Sequence, residues 1–258
     1  MTRRSADEST DAGETRPSFY ARPRFLHRRW LRDWWTLLHP PYTAWHLAYV
    51  VVGASLIAPV SVTRLLGTLL AFFLAVGVGA HALDELHGRP LRTEIADWVL
   101  VTAATLGIGG AVVIGIVGIA TVGPWLGAFI VAGIVLALGY NLELFGGALH
   151  TDVTFAVAWG AFPVLTAYFA QHGTLNVAAV GAAAFGFLSS TAQRKLSTPA
   201  RALRRRTRSV QGTVHATDGS VHELGTATIL APLEGALRAL SWAMVVLALA
   251  LALARLAP

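Results

Sequence analysis

A histidine and two carboxylates share one helix face near the end of a long apolar segment. His81, Asp84 and Glu85 stand at positions i, i+3 and i+4, a spacing that aligns side chains along a helix. Ionisable groups at the end of a membrane span are costly to place and mark a candidate functional site. The two carboxylates suit Mg²⁺, and with the histidine Zn²⁺, Fe²⁺ or Mn²⁺ also fits. The alternative is a solvated helix end, in which an acid pairs with Arg89 or Arg92.

A second polar group ends the fourth apolar segment and begins the fifth. Its members are Tyr140, Asn141, Glu143, His150 and Asp152. The loop carries acids and no basic residue, so we expect a metal, or arginines from another loop, to face it. The alternative is capping, with Asp152 or Thr151 as the N-cap of the next helix. His46, one turn into the first apolar segment, either joins this site as a ligand or hydrogen-bonds a buried carbonyl.

A third group is basic and follows the sixth apolar segment. Arg194, Lys195 and Arg201 begin it, and further arginines follow. Arginine matches the geometry of phosphate oxygens, so these residues are candidates for binding a diphosphate. The alternative is a cytoplasmic flank attracted to anionic membrane lipid.

Composition places these groups in a membrane protein. Of the 258 residues, 55% are hydrophobic and only 13% charged, and the mean hydropathy of +0.58 is too apolar for a soluble domain of this length. The absence of cysteine excludes disulfides and thiolate metal sites. The net charge of +6 comes from arginines, which in such a protein mark the cytoplasmic face and not nucleic-acid binding.

Hydropathy predicts an all-α bundle of about seven spans. The apolar segments are residues 43–59, 64–83, 96–119, 123–140, 153–170, 174–190 and 226–256. Residues 1–24 are predicted to be a disordered tail and 25–38 an interfacial amphipathic helix. Residues 39–258 form the membrane domain, with a basic connection at 191–223. The distribution of arginine predicts a protein of the cell membrane with a cytoplasmic amino terminus.

The order of these features resembles the UbiA superfamily of intramembrane prenyltransferases. In that family an Asn-Asp-x-x-Asp motif ends the second span, and an Arg-Pro-Leu-type turn follows. Here residues 80–84 read Ala-His-Ala-Leu-Asp, and residues 88–91 read Gly-Arg-Pro-Leu. Tyr140 and Asn141 match the tyrosine-containing turn after the fourth span. Residues 160–164, Gly-Ala-Phe-Pro-Val, match the small-residue pattern of the fifth.

The resemblance implies a UbiA-like fold and transfer of a polyprenyl group from a diphosphate donor to an acceptor that the sequence does not identify. Asp84 and Glu85 would hold a single metal, Mg²⁺ or Mn²⁺, with His81 and Glu143 assisting. Arg89 and Arg194 would bind phosphate. The chain departs from the family in three respects: His81 replaces the first aspartate, no acid ends the sixth span, and about seven spans replace nine.

Two alternatives to prenyl transfer remain open. The first is a metal enzyme of different chemistry, with a mixed site drawn from His46, His81, Asp84, Glu85, Glu143, His150 and Asp152 on the same scaffold. The second is a membrane protein that binds a lipid without catalysis. The missing second acidic motif favours this reading, whereas the clustering of acids and histidines at one membrane level argues against it.

Overall fold

The computed structural model describes residues 26–256, so the predicted tail at 1–24 lies outside the described residues. The described chain is helical apart from one β-hairpin and its connections. Its helices are α1 (Arg29–Leu38), α2 (Pro40–Ser55), α3 (Val62–Leu86), α4 (Asp97–Val122), α5 (Leu126–Asn141), α6 (Asp152–His172), α7 (Val177–Arg205) and α8 (Thr226–Leu256). Strands β1 (Gln211–His215) and β2 (Val221–Gly225) form the antiparallel hairpin.

Four of these helices, α3, α4, α6 and α8, are long and apolar enough to cross a membrane. Helix α5 is apolar but shorter. Each of the seven apolar segments of the sequence coincides with one helix from α2 to α8. The protein is therefore a largely helical membrane protein, as hydropathy predicts.

The connection between α7 and α8 differs from its prediction. Helix α7 continues to Arg205, well past the predicted end of the sixth segment, and the hairpin occupies most of the remainder. The amino-terminal half of the last segment is helical despite Pro232. There Glu234 accepts hydrogen bonds from Arg204, one of them at 2.7 Å between Nη2 and Oε2. This ion pair joins α7 to α8, so Arg204 of the basic cluster is paired within the protein.

Two of the membrane helices contain π-helical segments. Residues Phe73–Ala80 of α3 and Val157–Ala161 of α6 have this wider turn, which is rare and often found at functional sites. Both segments are crossed closely by a neighbouring helix at a glycine. A Cβ at Gly160 would lie 2.3 Å from the carbonyl oxygen of Gly186 in α7, and one at Gly107 of α4 would lie 2.6 Å from that of Leu74. Small residues at these crossings let the helix backbones touch.

The main core lies where α2, α6, α7 and α8 meet. Trp45 and Tyr49 of α2 pack there against Val164 of α6 and Met244 of α8, and a hydrogen bond of 2.7 Å joins the Trp45 indole N–H to the Tyr49 hydroxyl. The last helix, α8, therefore packs on α2 and closes the bundle.

Helix α1 lies across the end of the bundle that carries residues 87–96, 142–151 and the hairpin, which we call the arginine-rich end. Leu37 is fully buried against the end of α3 and the start of α4. Asp33 is buried and accepts a hydrogen bond from the backbone N–H of Glu94, whereas Trp30 and Trp35 are exposed. Helix α1 therefore buries Asp33, Thr36 and Leu37 and leaves two indoles exposed, and its position at the membrane interface stays a prediction.

Candidate functional site

A polar chamber of about 550 Å³ opens at the arginine-rich end of the bundle. It lies within the size range of small-molecule sites. Helices α2, α3, α5, α6 and α7 each contribute to its wall. The polar side chains that line it are His39, Tyr42, His46, His81, Asp84, His87, Tyr140, Asn141, Glu143, His150, Gln193, Arg194, Ser197, Thr198, Arg201, Arg205 and Arg206.

The three groups singled out in the sequence meet in this chamber. The residues placed there are His46, His81, Asp84, Tyr140, Asn141, Glu143, His150, Arg194 and Arg201. They come from four helices, α2, α3, α5 and α7, and from the 142–151 loop, so only the tertiary fold brings them together. In particular, His46 and His81 line the same cavity, as expected from their common membrane level.

Asp84 is a chamber-lining carboxylate without a hydrogen-bonded partner among the described residues. Its side chain is exposed, and within residues 26–256 its carboxylate forms no hydrogen bond or salt bridge. Arg201, Arg205 and His150 are close enough to act on it electrostatically. Asp84 is thus an acid in a basic environment with its oxygens available to a ligand.

The chamber is strongly basic. Four arginines line it, Arg194, Arg201, Arg205 and Arg206, against the two acids Asp84 and Glu143. Burial and the neighbouring Arg194 guanidinium lower the pKa of Arg201. The pKa of Arg205 is lowered by burial and by Arg201. Guanidinium groups that repel one another in a partly buried cavity are stabilised by a polyanion, and arginine forms its strongest hydrogen bonds with phosphate and carboxylate oxygens.

Arg194 of α7 makes two contacts with α6 at the wall of the chamber. Its Nε donates to Asp152 Oδ1 at 2.7 Å, and its guanidinium carbon lies 5.1 Å from the centroid of the Phe155 ring, within the range of a cation–π contact. Asp152 is largely exposed and does not line the chamber. In this structure its carboxylate binds Arg194, and its assignment as a metal ligand stays a prediction. The N-cap of α6 is Thr151, whose hydroxyl accepts from the backbone N–H of Thr154.

Three histidines of the chamber use the same ring nitrogen. The Nδ1 of His46 lies 2.9 Å from the Trp159 carbonyl oxygen, that of His81 3.1 Å from Gly77, and that of His150 3.0 Å from Tyr140. A carbonyl oxygen only accepts, so Nδ1 carries the proton in each ring and Nε2 is the free acceptor of the neutral form. His46 thus satisfies a carbonyl, one of its two predicted roles, and His46 and His81 each bond to a π-helical segment.

Glu143 stands in a strained turn between two imidazoles. Its φ of 48° lies in the left-handed region that side chains other than glycine and asparagine seldom adopt. The Glu143 Oε1 lies 3.9 Å from His87 Nε2 and 3.9 Å from His150 Nδ1. Such strain is kept where the surrounding structure requires it, often at a binding site.

The structure corrects the role of Glu85. This side chain is fully buried, and its oxygens accept from Leu91 N at 2.9 Å, Thr93 N at 2.8 Å and Thr93 Oγ1 at 2.9 Å. It faces the 87–96 loop and does not line the polar chamber. The prediction that Glu85 is a catalytic or metal-binding residue is therefore wrong, because backbone and hydroxyl donors occupy its carboxylate.

Two basic residues that were predicted to bind phosphate, Arg89 and Lys195, lie outside the polar chamber. Arg89 pairs with Asp97 and donates to the carbonyl oxygens of Thr93 and Ile95, so it stabilises the loop and does not line the chamber. Lys195 is exposed on the other side of α7 and is likewise absent from the lining. Neither can bind a phosphate held inside this cavity.

Sequence reasoning missed a polar stripe on α7. Gln193 and Ser197 are buried yet line the chamber, and within the described residues the Gln193 Oε1 has no hydrogen-bond partner. Together with Ser190, Arg201 and Arg205 they recur every three or four residues, the spacing of one helix face. This helical periodicity of polar residues is the signal that would have identified Gln193, Ser197 and Arg205.

No preformed metal site exists among the described residues. Nowhere between residues 26 and 256 do three or more His, Asp or Glu side chains cluster closely enough to hold an ion. The six-residue set of His46, His81, Asp84, Glu85, His150 and Asp152 is thus not assembled as a coordination sphere. Asp84 and Glu143 still offer hard oxygen ligands at the chamber wall, which suit an ion that arrives with its own phosphate ligands.

An apolar chamber of about 330 Å³ adjoins the polar one. It lies among α3, α4, α5 and α6, and its lining is almost entirely hydrocarbon, with Phe72, Phe129 and Phe162 among its larger side chains. Val76 and Trp159 line both chambers. Each of these two residues belongs to a π-helical segment, so the two distorted turns form the junction between a basic cavity and an apolar one.

Comparison with models of known protein families, with curated protein sequences and with solved structures finds no match to this chain.

Proposed function

We propose that this chain is a UbiA-like membrane protein of the prenyltransferase type, which binds an isoprenoid diphosphate and transfers its prenyl group. It acts in the cell membrane, with the arginine-rich end and the amino terminus facing the cytoplasm. The observation that carries the proposal is the pair of adjoining chambers, one basic and one apolar, which share Val76 and Trp159. A ligand with an anionic head and a hydrocarbon tail matches both at once.

The charge of the polar chamber favours a diphosphate head. Arg194, Arg201 and Arg205 come from one face of α7, and the excess of guanidinium over carboxylate would be balanced by a polyanion. The apolar chamber offers no comparable polar partner, so the head has one favourable position. A neutral lipid would leave the arginines uncompensated.

A divalent metal fits this site if the substrate brings it. Mg²⁺ is commonly held by one or two carboxylates together with substrate phosphates and water, and Asp84, with Glu143 across the chamber, supplies such carboxylates. When bound there, Mg²⁺ or Mn²⁺ would act as a Lewis acid for the leaving diphosphate. This donor set suits a metal–diphosphate complex better than a zinc or iron site built from protein ligands alone.

The protein's own groups would support bond cleavage in the following way. The bond between the prenyl carbon and the bridging oxygen breaks, and the diphosphate departs with the electron pair. Arg194, Arg201 and Arg205 would donate hydrogen bonds where this charge develops, the kind of stabilisation that contributes most to such reactions. The acceptor then bonds to the prenyl carbon and releases a proton, for which the free Nε2 of His46 or His81 is the candidate base.

A second candidate is binding of the same amphiphile without catalysis. It is favoured because Asp84 is the one carboxylate at the end of α3 that lines the chamber. The adjacent Glu85 accepts hydrogen bonds from the 87–96 loop instead. One carboxylate is enough to bind a metal–diphosphate head but gives less stabilisation of a departing one than two acidic clusters.

The two candidates are separated by assays on purified protein in lipid nanodiscs. Labelled geranylgeranyl and longer polyprenyl diphosphates are supplied with Mg²⁺ or Mn²⁺, and binding and diphosphate release are measured. We expect Arg201→Gln to weaken binding by about tenfold or more, in line with loss of one charged hydrogen bond. The matched control is Arg208→Gln, since Arg208 is exposed and outside the chamber.

Asp84→Asn distinguishes catalysis from binding. We expect it to abolish metal-dependent diphosphate release while the fold is retained, because within residues 26–256 the Asp84 carboxylate forms no hydrogen bond or salt bridge. Binding without release in the wild-type protein would support the second candidate. If no prenyl diphosphate binds, or Arg201→Gln and Arg208→Gln behave alike, the proposed function is wrong.

A further inference from the structure

We infer that the apolar chamber measures the length of the isoprenoid tail, and that Arg64 closes its far end. The inference rests on the proposed function, because it assigns the chamber to the tail of the ligand whose head lies among the arginines. It adds a chain-length limit, set by residues outside the polar chamber.

The first step is the position of Arg64. It lines the apolar chamber together with Thr63, Thr121 and Val122, which lie near the ends of their helices remote from the arginine-rich end. Val76 and Trp159 stand at the opposite end of the same chamber, where it meets the polar one. A tail that passes between Val76 and Trp159 therefore runs towards Arg64.

The second step is the way Arg64 is fixed. Its Nη1 donates to the carbonyl oxygen of Gln171 at 2.9 Å and its Nη2 to that of Thr121 at 2.6 Å. These carbonyls belong to the last turns of α6 and α4, where the helix dipole favours a cation. The Gln171 side chain in turn accepts from Ser61 N at 2.9 Å and donates to Ser61 O at 3.2 Å. Arg64 thus ties three helix ends together across the chamber.

The third step is length. At 1.5 Å per residue, the stretch of α3 from Val76 to Arg64 spans about 18 Å. One isoprene unit adds carbon–carbon bonds of about 1.5 Å, or roughly 4–5 Å along an extended chain. The chamber therefore accommodates about four units, a geranylgeranyl tail, before the chain meets a charged side chain that apolar atoms do not displace at low cost.

Gly67 gives a way to shorten the chamber without touching Arg64. It lines the cavity one turn nearer the junction, and a Cβ added there would make only an ordinary contact, 4.0 Å from Ile114 Cγ2. A leucine at this position would project into the space of the last isoprene unit. Gly109 of α4 is the matched control, since it is exposed and absent from the chamber lining, and a Cβ added there would meet nothing within 4 Å.

The experiment measures the affinity of the full-length protein in nanodiscs for geranyl, farnesyl, geranylgeranyl and longer polyprenyl diphosphates with Mg²⁺, and for the corresponding prenyl alcohols. For the wild type we expect affinity to rise to geranylgeranyl and then to level or fall. Gly67→Leu should weaken geranylgeranyl binding by about tenfold or more, because several methylene groups lose their burial, while farnesyl binding stays within about threefold. Gly109→Leu should leave the whole series unchanged.

Arg64→Ala provides the opposite perturbation, since opening the far end should let longer chains gain affinity. A diphosphate series without a limit, or equal behaviour of Gly67→Leu and Gly109→Leu, would overturn the length limit and leave the proposed function standing. If instead the alcohols show the limit while diphosphates bind no better than alcohols, the apolar chamber holds a chain and the proposed function fails. Absence of binding to both series refutes both.

Discussion

Glu85 and Asp84 are adjacent acids on α3, and the structure gives them opposite roles that one pair of substitutions can separate. Glu85→Gln should destabilise the protein, whereas Asp84→Asn should leave its stability close to that of the wild type. The two changes are chemically matched, because each replaces a carboxylate with its amide.

The loss of stability expected for Glu85→Gln can be estimated from the hydrogen-bond donors around Glu85. Oε1 accepts from Thr93 N and Thr93 Oγ1, and Oε2 accepts from Leu91 N. The amide oxygen of glutamine can keep the pair at Thr93, but its NH₂ group would then face the Leu91 N–H. One charge-assisted hydrogen bond is lost and a buried N–H is left without a partner, which costs about 2–3 kcal/mol. For a chain of this size, that corresponds to a fall of roughly 5–10 °C in the midpoint of thermal unfolding.

Thermal unfolding in a mild detergent measures this difference, and limited trypsin digestion at Arg92, which precedes a threonine, reports on the loop itself. We expect faster cleavage in Glu85→Gln, because the Glu85 hydrogen bonds hold that loop, and no change in Asp84→Asn. The reasoning is refuted if Glu85→Gln unfolds at the wild-type temperature and yet loses ligand binding, since that result would return Glu85 to the functional site.

Three further outcomes are expected. Gly160→Ala should cost about 1–3 kcal/mol or more, because its Cβ would lie 2.3 Å from a backbone carbonyl oxygen of α7, whereas Gly181→Ala, with open space around it, should be neutral or stabilising in the same thermal assay. Cysteines introduced at the exposed Ser209 and Thr174 should react with impermeant reagents from opposite sides of the membrane, Ser209 from the cytoplasm, and labelling from one side contradicts the topology. Burial and a neighbouring imidazole hold the pKa of His39 well below 6.5. Below pH 6.5 the unfolded chain therefore binds more protons than the folded one, and the free energy of unfolding falls by up to about 1.4 kcal/mol for each pH unit. His39→Gln should reduce this dependence of stability on pH.

The helices were accessible from the sequence because each is encoded locally. Apolar segments of near-spanning length mark α2 to α8, and the boundaries follow caps such as Thr151 and Asn176. The end of α7 was not predicted, since its last turns are polar and hydropathy records only the part in contact with lipid or core. The hairpin was missed for a related reason, because its short strands lie in an exposed, polar connection.

The site was partly accessible from the sequence. Polarity near span ends marked Asp84, Glu143 and Arg201, which do line the chamber. It could not separate Asp84 from Glu85. These neighbours on α3 point in different directions, and which of them faces the chamber depends on where the 87–96 loop folds. Hydropathy could not reveal the apolar chamber either, because the residues that line it are as hydrophobic as residues that face lipid.

The π-helical segments connect the fold to the proposed function. A π turn inserts an extra residue into a helix and leaves backbone carbonyls displaced from their usual partners. Here the displaced regions are bound by imidazoles, since the Nδ1 of His46 bonds to Trp159 O and that of His81 to Gly77 O. The same distortion brings Val76 and Trp159 to the boundary of the two chambers. His46 and His81, which first marked a possible metal site, therefore have a structural role, because each bonds to a distorted turn at the boundary of the two chambers.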